Sequence, residues 1–129
     1  MHTRLRKTAA LLALLLAVLL ASCSAAVPLE GIYTLTGEAP EYDAPYLILS
    51  ENRFTWVAHP AVSYQPSGVP VRENGRLILQ GRYGNEDFRF VFRIRDEETL
   101  LYAENESHIA QPMPGFPEKG SRWKYWRNP

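Results

Sequence analysis

Residues 87–95 read DFRFVFRIR, and their pattern decides the fold class. Phe88, Phe90, Phe92 and Ile94 recur at every second position, the period of an extended strand. Arg89, Val91, Arg93 and Arg95 fall on the opposite face. Such a strand must bury its phenylalanines against a second apolar surface. Just upstream, RLILQGR (residues 76–82) alternates in the same way, with Leu77 and Leu79 on one side and Arg76, Ile78, Gln80 and Arg82 on the other. Asn74-Gly75 ahead of it offers the positive φ angles that a tight hairpin needs.

Outward from this pair the chain keeps alternating short apolar runs with turn signals, the mark of an all-β domain. Ten prolines discourage helices further. Eight strands are expected, at about Ile32–Thr36, Tyr46–Ser50, Phe54–Ala58, Val69–Glu73, Leu77–Arg82, Phe88–Arg95, Leu100–Glu104 and Arg122–Trp126. Local turns join neighbours, so the simplest topology is an eight-stranded up-and-down antiparallel meander. Eight strands suffice to close a small, lipocalin-like barrel and remove its exposed edges; an open β-sandwich is the alternative. The connections then sort by length. Three tight turns share one end, and three long loops (GEAPEYDAP, HPAVSYQPSG and NESHIAQPMPGFPEKGS) share the other. Loops on a rigid scaffold are where binding residues usually sit.

The N-terminus has a different character. MHTRLRKTAALLALLLAVLLASC places Arg4, Arg6 and Lys7 before an apolar run from Ala9 to Ala21. That run has 13 residues, short of the roughly 20 a spanning helix needs, and fits an export signal. Leu20-Ala21-Ser22-Cys23 resembles the lipobox of bacterial lipoproteins. The resemblance implies a diacylglycerol on the Cys23 sulfur, cleavage before Cys23, and attachment to the membrane on its extracytoplasmic side. The rival reading is an uncleaved signal anchor extending through Val27. The expected organisation is a signal peptide over residues 1–22, a lipidated tether over 23–30 and one barrel-like domain over 31–129.

Composition excludes other classes. Beyond the basic N-terminus the chain carries 11 Lys/Arg against 14 Asp/Glu, which argues against nucleic acid as a partner. A single cysteine excludes an intramolecular disulfide and a cysteine-rich metal centre.

The run YLILSENRFTW…SYQPSG…RLILQG…FRFVFRIRDEETLLYAENES…RWKYW, over about residues 45 to 126, resembles a group of small β-rich bacterial lipoproteins. It also resembles the C-terminal extracytoplasmic domain of some antirepressor-type membrane metallopeptidases. The resemblance implies the β-rich fold and brings no catalytic residues, since the group has no established activity. The chain departs from that pattern at Asn52-Arg53 and Lys119-Gly120, where Asp-Gly is usual, and at Pro70. Proline cannot donate to a ladder, which puts the pairing of the fourth strand and full closure of the barrel in question.

The candidate functional residues cluster in the loops. His59 and His108 could meet across the mouth with Asp43, Tyr64 or Glu106 in a metal or acid–base site; the plainer reading leaves each solvated or hydrogen-bonded in its loop. Tyr42, Tyr64, Tyr83, Met113 and Phe116 either form a binding rim or plug the barrel top. Arg76, Arg82, Arg89, Arg93 and Arg95 share one outer face, which would dock on an anionic surface or pair with acids such as Glu98 and Glu104. In RWKYWR, Trp123 and Tyr125 point one way and Trp126 the other, where it could touch a bilayer interface. No serine sits in a nucleophile-elbow setting. The expectation is a monomeric, non-enzymatic lipoprotein without cofactor or metal. It would be held to the bilayer by Cys23 and bind an unknown protein or small ligand at the loop end. Inhibition of an extracellular hydrolase is the alternative, and a histidine-dependent metal site a lesser one.

Overall fold

The computed structural model describes residues 30–59, 61, 65–110 and 112–129. Their strands are β1 (Gly31–Thr34), β2 (Tyr46–Leu49), β3 (Phe54–Val57), β4 (Ser67–Gly68), β5 (Pro70–Glu73), β6 (Arg76–Tyr83), β7 (Glu86–Asp96), β8 (Thr99–Tyr102), β9 (His108–Ile109) and β10 (Arg122–Arg127). All pair antiparallel in the order β4-β3-β2-β1-β10-β8-β7-β6-β5, with β9 added beside β7. The result is an all-β, up-and-down, nearly closed barrel.

The count exceeds the eight expected strands for two reasons. The fourth expected strand, Val69–Glu73, is seen as β5 from Pro70 on, and a short extra strand, β4, precedes it across a break at Val69, which is 66% exposed. The residues before the break, β4, pair with β3 (Phe54↔Gly68), and those after it, β5, pair with β6 (Pro70↔Leu79). One stretch of chain therefore touches both ends of the sheet and closes the barrel, with Pro70 at the change of partner. Two glycines make the closure possible. A Cβ on Gly68 would lie 2.6 Å from the Gln80 carbonyl oxygen, and one on Gly81 would lie 2.8 Å from that of Ser67. β4 and β6 cross too closely there for any side chain on either residue. The second addition, β9, arises because β7 is 11 residues long. β8 pairs with its second half, and β9 pairs at Phe88↔Ile109 and Arg89↔His108.

The expected face of DFRFVFRIR forms the interior. Phe88, Phe90 and Phe92 are buried with Leu77, Leu79, Tyr33, Phe54, Trp56, Leu100, Tyr102 and Trp123, while Ile94 packs half-buried at the margin. Trp56 is the hub, its ring 4.7 Å from Trp123, 5.4 Å from Phe90 and 6.1 Å from Phe92. Each such side chain stabilises by about 1.5–3 kcal/mol when fully buried. Filling the barrel with aromatics is how a small domain gathers enough burial to fold.

The two ends differ as the loop lengths predict. At one end Ser50 closes its turn with Arg53, the Ser50 N–H donating to the Arg53 carbonyl at 2.8 Å. Asn74 (φ 51°) and Gly75 (φ 73°) turn between β5 and β6. Gly31 pairs with Leu49 beside the first of these turns, so the chain enters the barrel at the hairpin end. The long loops gather at the other.

Candidate functional site

At the loop end, the segment after β9 folds into the barrel mouth. Gly115 sits at φ 88°, and a Cβ there would collide with the Ala58 carbonyl, so the position demands glycine. Its own carbonyl accepts a 2.8 Å hydrogen bond from the Trp56 indole. That bond ties the loop to the core and sets the next residue, Phe116, over the interior. Phe116 is only 7% exposed and stands edge-on to Phe90 at 5.4 Å and to Tyr83 at 5.6 Å. Phe116 therefore caps the packed interior at this end.

Phe116 divides two notches. A small one, about 50 Å³, lies among Tyr83, Phe88, Ile109, Met113 and Phe116, with Glu86 and Asp87 also lining it. A larger one, about 160 Å³, lies among Leu35, Pro45, Gly115, Phe116 and Trp123. Three candidate residues, Tyr83, Met113 and Phe116, thus converge on one notch. Met113 remains 41% exposed and Tyr42, on the loop between β1 and β2, 82% exposed. Tyr64 and Cys23 lie outside the described residues.

The histidines take separate environments. His59 Nδ1 accepts the Ala61 N–H at 3.0 Å. The ring proton is therefore on Nε2, which donates to Asp43 Oδ1 at 3.1 Å. Both nitrogens have partners that orient the ring. It bridges the β1–β2 loop to the β3–β4 loop. His108 is exposed on β9 opposite Arg89. Glu106, offered above as a third member of a mouth site, joins neither histidine. Its carboxylate is held by Arg76 Nε at 2.5 Å and by Arg93 Nε at 3.3 Å. Partial burial disfavours the Glu106 charge, but those two guanidinium bonds outweigh it and hold the carboxyl below the usual range. Among the described residues no group of three or more His, Cys, Asp or Glu could hold a metal ion.

The arginine face thus resolves partly into ion pairs, though with other acids than Glu98 and Glu104. Arg76 and Arg93, directly opposed across β6 and β7, share Glu106 from a 3-10 turn at Glu104–Glu106. Arg82 pairs with its cross-strand neighbour Asp87 at 3.3 Å. Val91, on the same face, is buried because that turn fills the gap between β8 and β9. The Val91 N–H donates to Ser107 Oγ, and its carbonyl accepts the Ala103 N–H. Trp126 points away from the core, as alternation requires, and is half-buried under the Arg127 guanidinium, 4.0 Å above its ring.

Sequence reasoning missed Gly115, whose requirement comes from a neighbour 57 positions away, and the pair Tyr33 and Arg72. Arg72 alternates inward on β5, between the exposed Val71 and Glu73. Tyr33 is buried with no hydrogen-bond partner for its hydroxyl among the described residues. Burial pushes that phenol well above its ordinary range, and the positive charge of Arg72 opposes the shift. Burial likewise pulls the Arg72 guanidinium down.

With this geometry in hand, comparison with protein-family models, with curated proteins and with solved structures gives no match. The chemistry of the surface must carry the functional reading.

Proposed function

We propose that this is a lipid-anchored extracytoplasmic lipoprotein that recognises a protein partner with the loop end of a packed barrel. The observation that carries the binding mode is Phe116. With that ring seated on Phe90 and packed on the aromatic interior, the described side chains fill the barrel's centre instead of lining a small-ligand chamber. What the loop end offers instead is a rim, with Tyr42 and Met113 exposed and His59–Asp43 bracing two loops. Aromatic and methionine side chains on a polar rim are what protein interfaces favour. The anchoring half rests on the basic N-terminus, the short apolar run and LASC, together with the resemblance to β-rich lipoproteins. Entry of the chain at the hairpin end supports it, since a tether there turns the loop end away from the membrane. The tether is tested by growing cells with labelled palmitate. The wild-type chain should incorporate label and Cys23→Ala should not; equal labelling would overturn the anchor.

A second reading, inhibition of an extracellular hydrolase, draws on Tyr42, which stands 82% exposed on its turn as a side chain to insert in a cleft. Added wild-type protein would then slow such an enzyme and Tyr42→Ala would not.

A further inference from the structure

The geometry points to an oxyanion site on the barrel's side wall, in a groove along the end of the β6–β7 hairpin beneath β9. The groove encloses about 540 Å³, a volume within the range of small-ligand sites. Its charged lining is asymmetric. Arg82 and Asp87 face each other across the strands and pair at 3.3 Å, so the one lining carboxylate is already engaged. Arg89 is exposed, and among the described residues no carboxylate lies within ion-pair distance of it. The pairing of β7 with β9 sets His108 directly opposite Arg89, and the pairing with β6 sets Gln80 on its other side. A guanidinium is thus flanked by an imidazole and an amide, both able to donate hydrogen bonds. Gly81 adds no side chain to the lining, and its neighbours Ser67 and Phe88 keep it glycine.

A guanidinium offers a planar fork of N–H donors that matches a carboxylate or a phosphate. Flanking donors without a competing acid favour a ligand that only accepts. The ligand class is therefore an oxyanion, a carboxylate or a phosphate carried on a small molecule or a chain end. Arg76 and Arg93 cannot serve in its place, because Glu106 occupies both. The groove shares Asp87 and Phe88 with the notch beside Phe116 but includes neither Tyr42 nor Met113, so a change at Arg89 tests it separately from the protein partner proposed for the rim.

The test is an NMR titration of the full-length chain in neutral detergent with methyl phosphate in one arm, acetate in another and chloride at matched ionic strength as control. Saturable shifts confined to residues 80–82, 87–89 and 108 are expected in at least one oxyanion arm, and the tighter arm identifies the chemistry. Arg89→Gln, an exposed change that leaves the remaining amide spectrum in place, should weaken that binding about tenfold or more, the loss of one charge-assisted contact. Arg89→Lys, which keeps the charge and loses the fork, should fall between. Shifts no different from chloride in both arms, or equal affinity in wild type and Arg89→Gln, would overturn the site.

Discussion

The Trp56 indole donates a 2.8 Å hydrogen bond to the carbonyl of Gly115, joining the barrel's central aromatic to a loop 59 residues further along the chain. Because Gly115 holds a left-handed backbone angle against Ala58, this contact fixes where Phe116 enters. Gly115→Ala should therefore cost about 1–2 kcal/mol for the backbone alone, and more for the collision. Urea unfolding should show the loss, and the near-UV dichroism of the tryptophans should change with it. A variant as stable as wild type, with an unchanged spectrum, would contradict the tie.

Phe116→Ala removes the plug itself. A buried phenylalanine truncated to alanine typically costs about 3–5 kcal/mol, and Phe116, at the margin of the core, should lie near the lower figure. The two notches beside it should merge, so an environment-sensitive apolar dye should bind the folded variant and not wild type.

Tyr33 is expected to behave in the opposite sense. Its hydroxyl is buried without a hydrogen-bond partner among the described residues, so Tyr33→Phe removes a desolvated group and should stabilise by about 1 kcal/mol at neutral pH. The pH profile adds a second check. The phenol is raised in the folded state, so the unfolded chain loses its proton first, and wild-type stability should fall as pH climbs above about 10. Tyr33→Phe should lose this component of the alkaline decline.

Acid should act through Glu106. Its carboxyl is depressed when folded, so the stabilisation is full above the ordinary carboxyl value of about 4.5 and disappears as pH falls through the folded one. Glu106→Gln should flatten that limb of the thermal-melt profile. The variant should also release the 3-10 turn, seen as faster amide exchange at Val91 and Ala103. An unchanged acid limb would show that Arg76 and Arg93 do not act through it.

Much of the architecture was legible because alternation is a local signal. DFRFVFRIR announces which side of β7 is inside, and Asn74-Gly75 announces its turn, so each expected strand has a counterpart. What was not legible depends on partners distant in sequence. Nothing local says that Pro70 marks a change of partner, that Gly68 and Gly81 face crossing backbones, or that Glu106 rather than Glu98 or Glu104 is in reach of Arg76 and Arg93. The candidate site divides in the same way. Tyr42 and Met113 could be assigned to loops, and the plugging role of Phe116 could be weighed. His59 and His108 looked equivalent in sequence and are not, because β9 carries His108 onto the β7 wall while Asp43 takes His59.

The claim that the loop end is the recognition surface is tested most directly by photo-crosslinking in cells. A photoreactive residue is placed singly at Tyr42, at Met113, or at the hairpin-end positions Asn52 and Gly75. Discrete protein adducts from Tyr42 and Met113 and none from Asn52 or Gly75 are predicted. Adducts from the hairpin end alone, or from neither end, would contradict it.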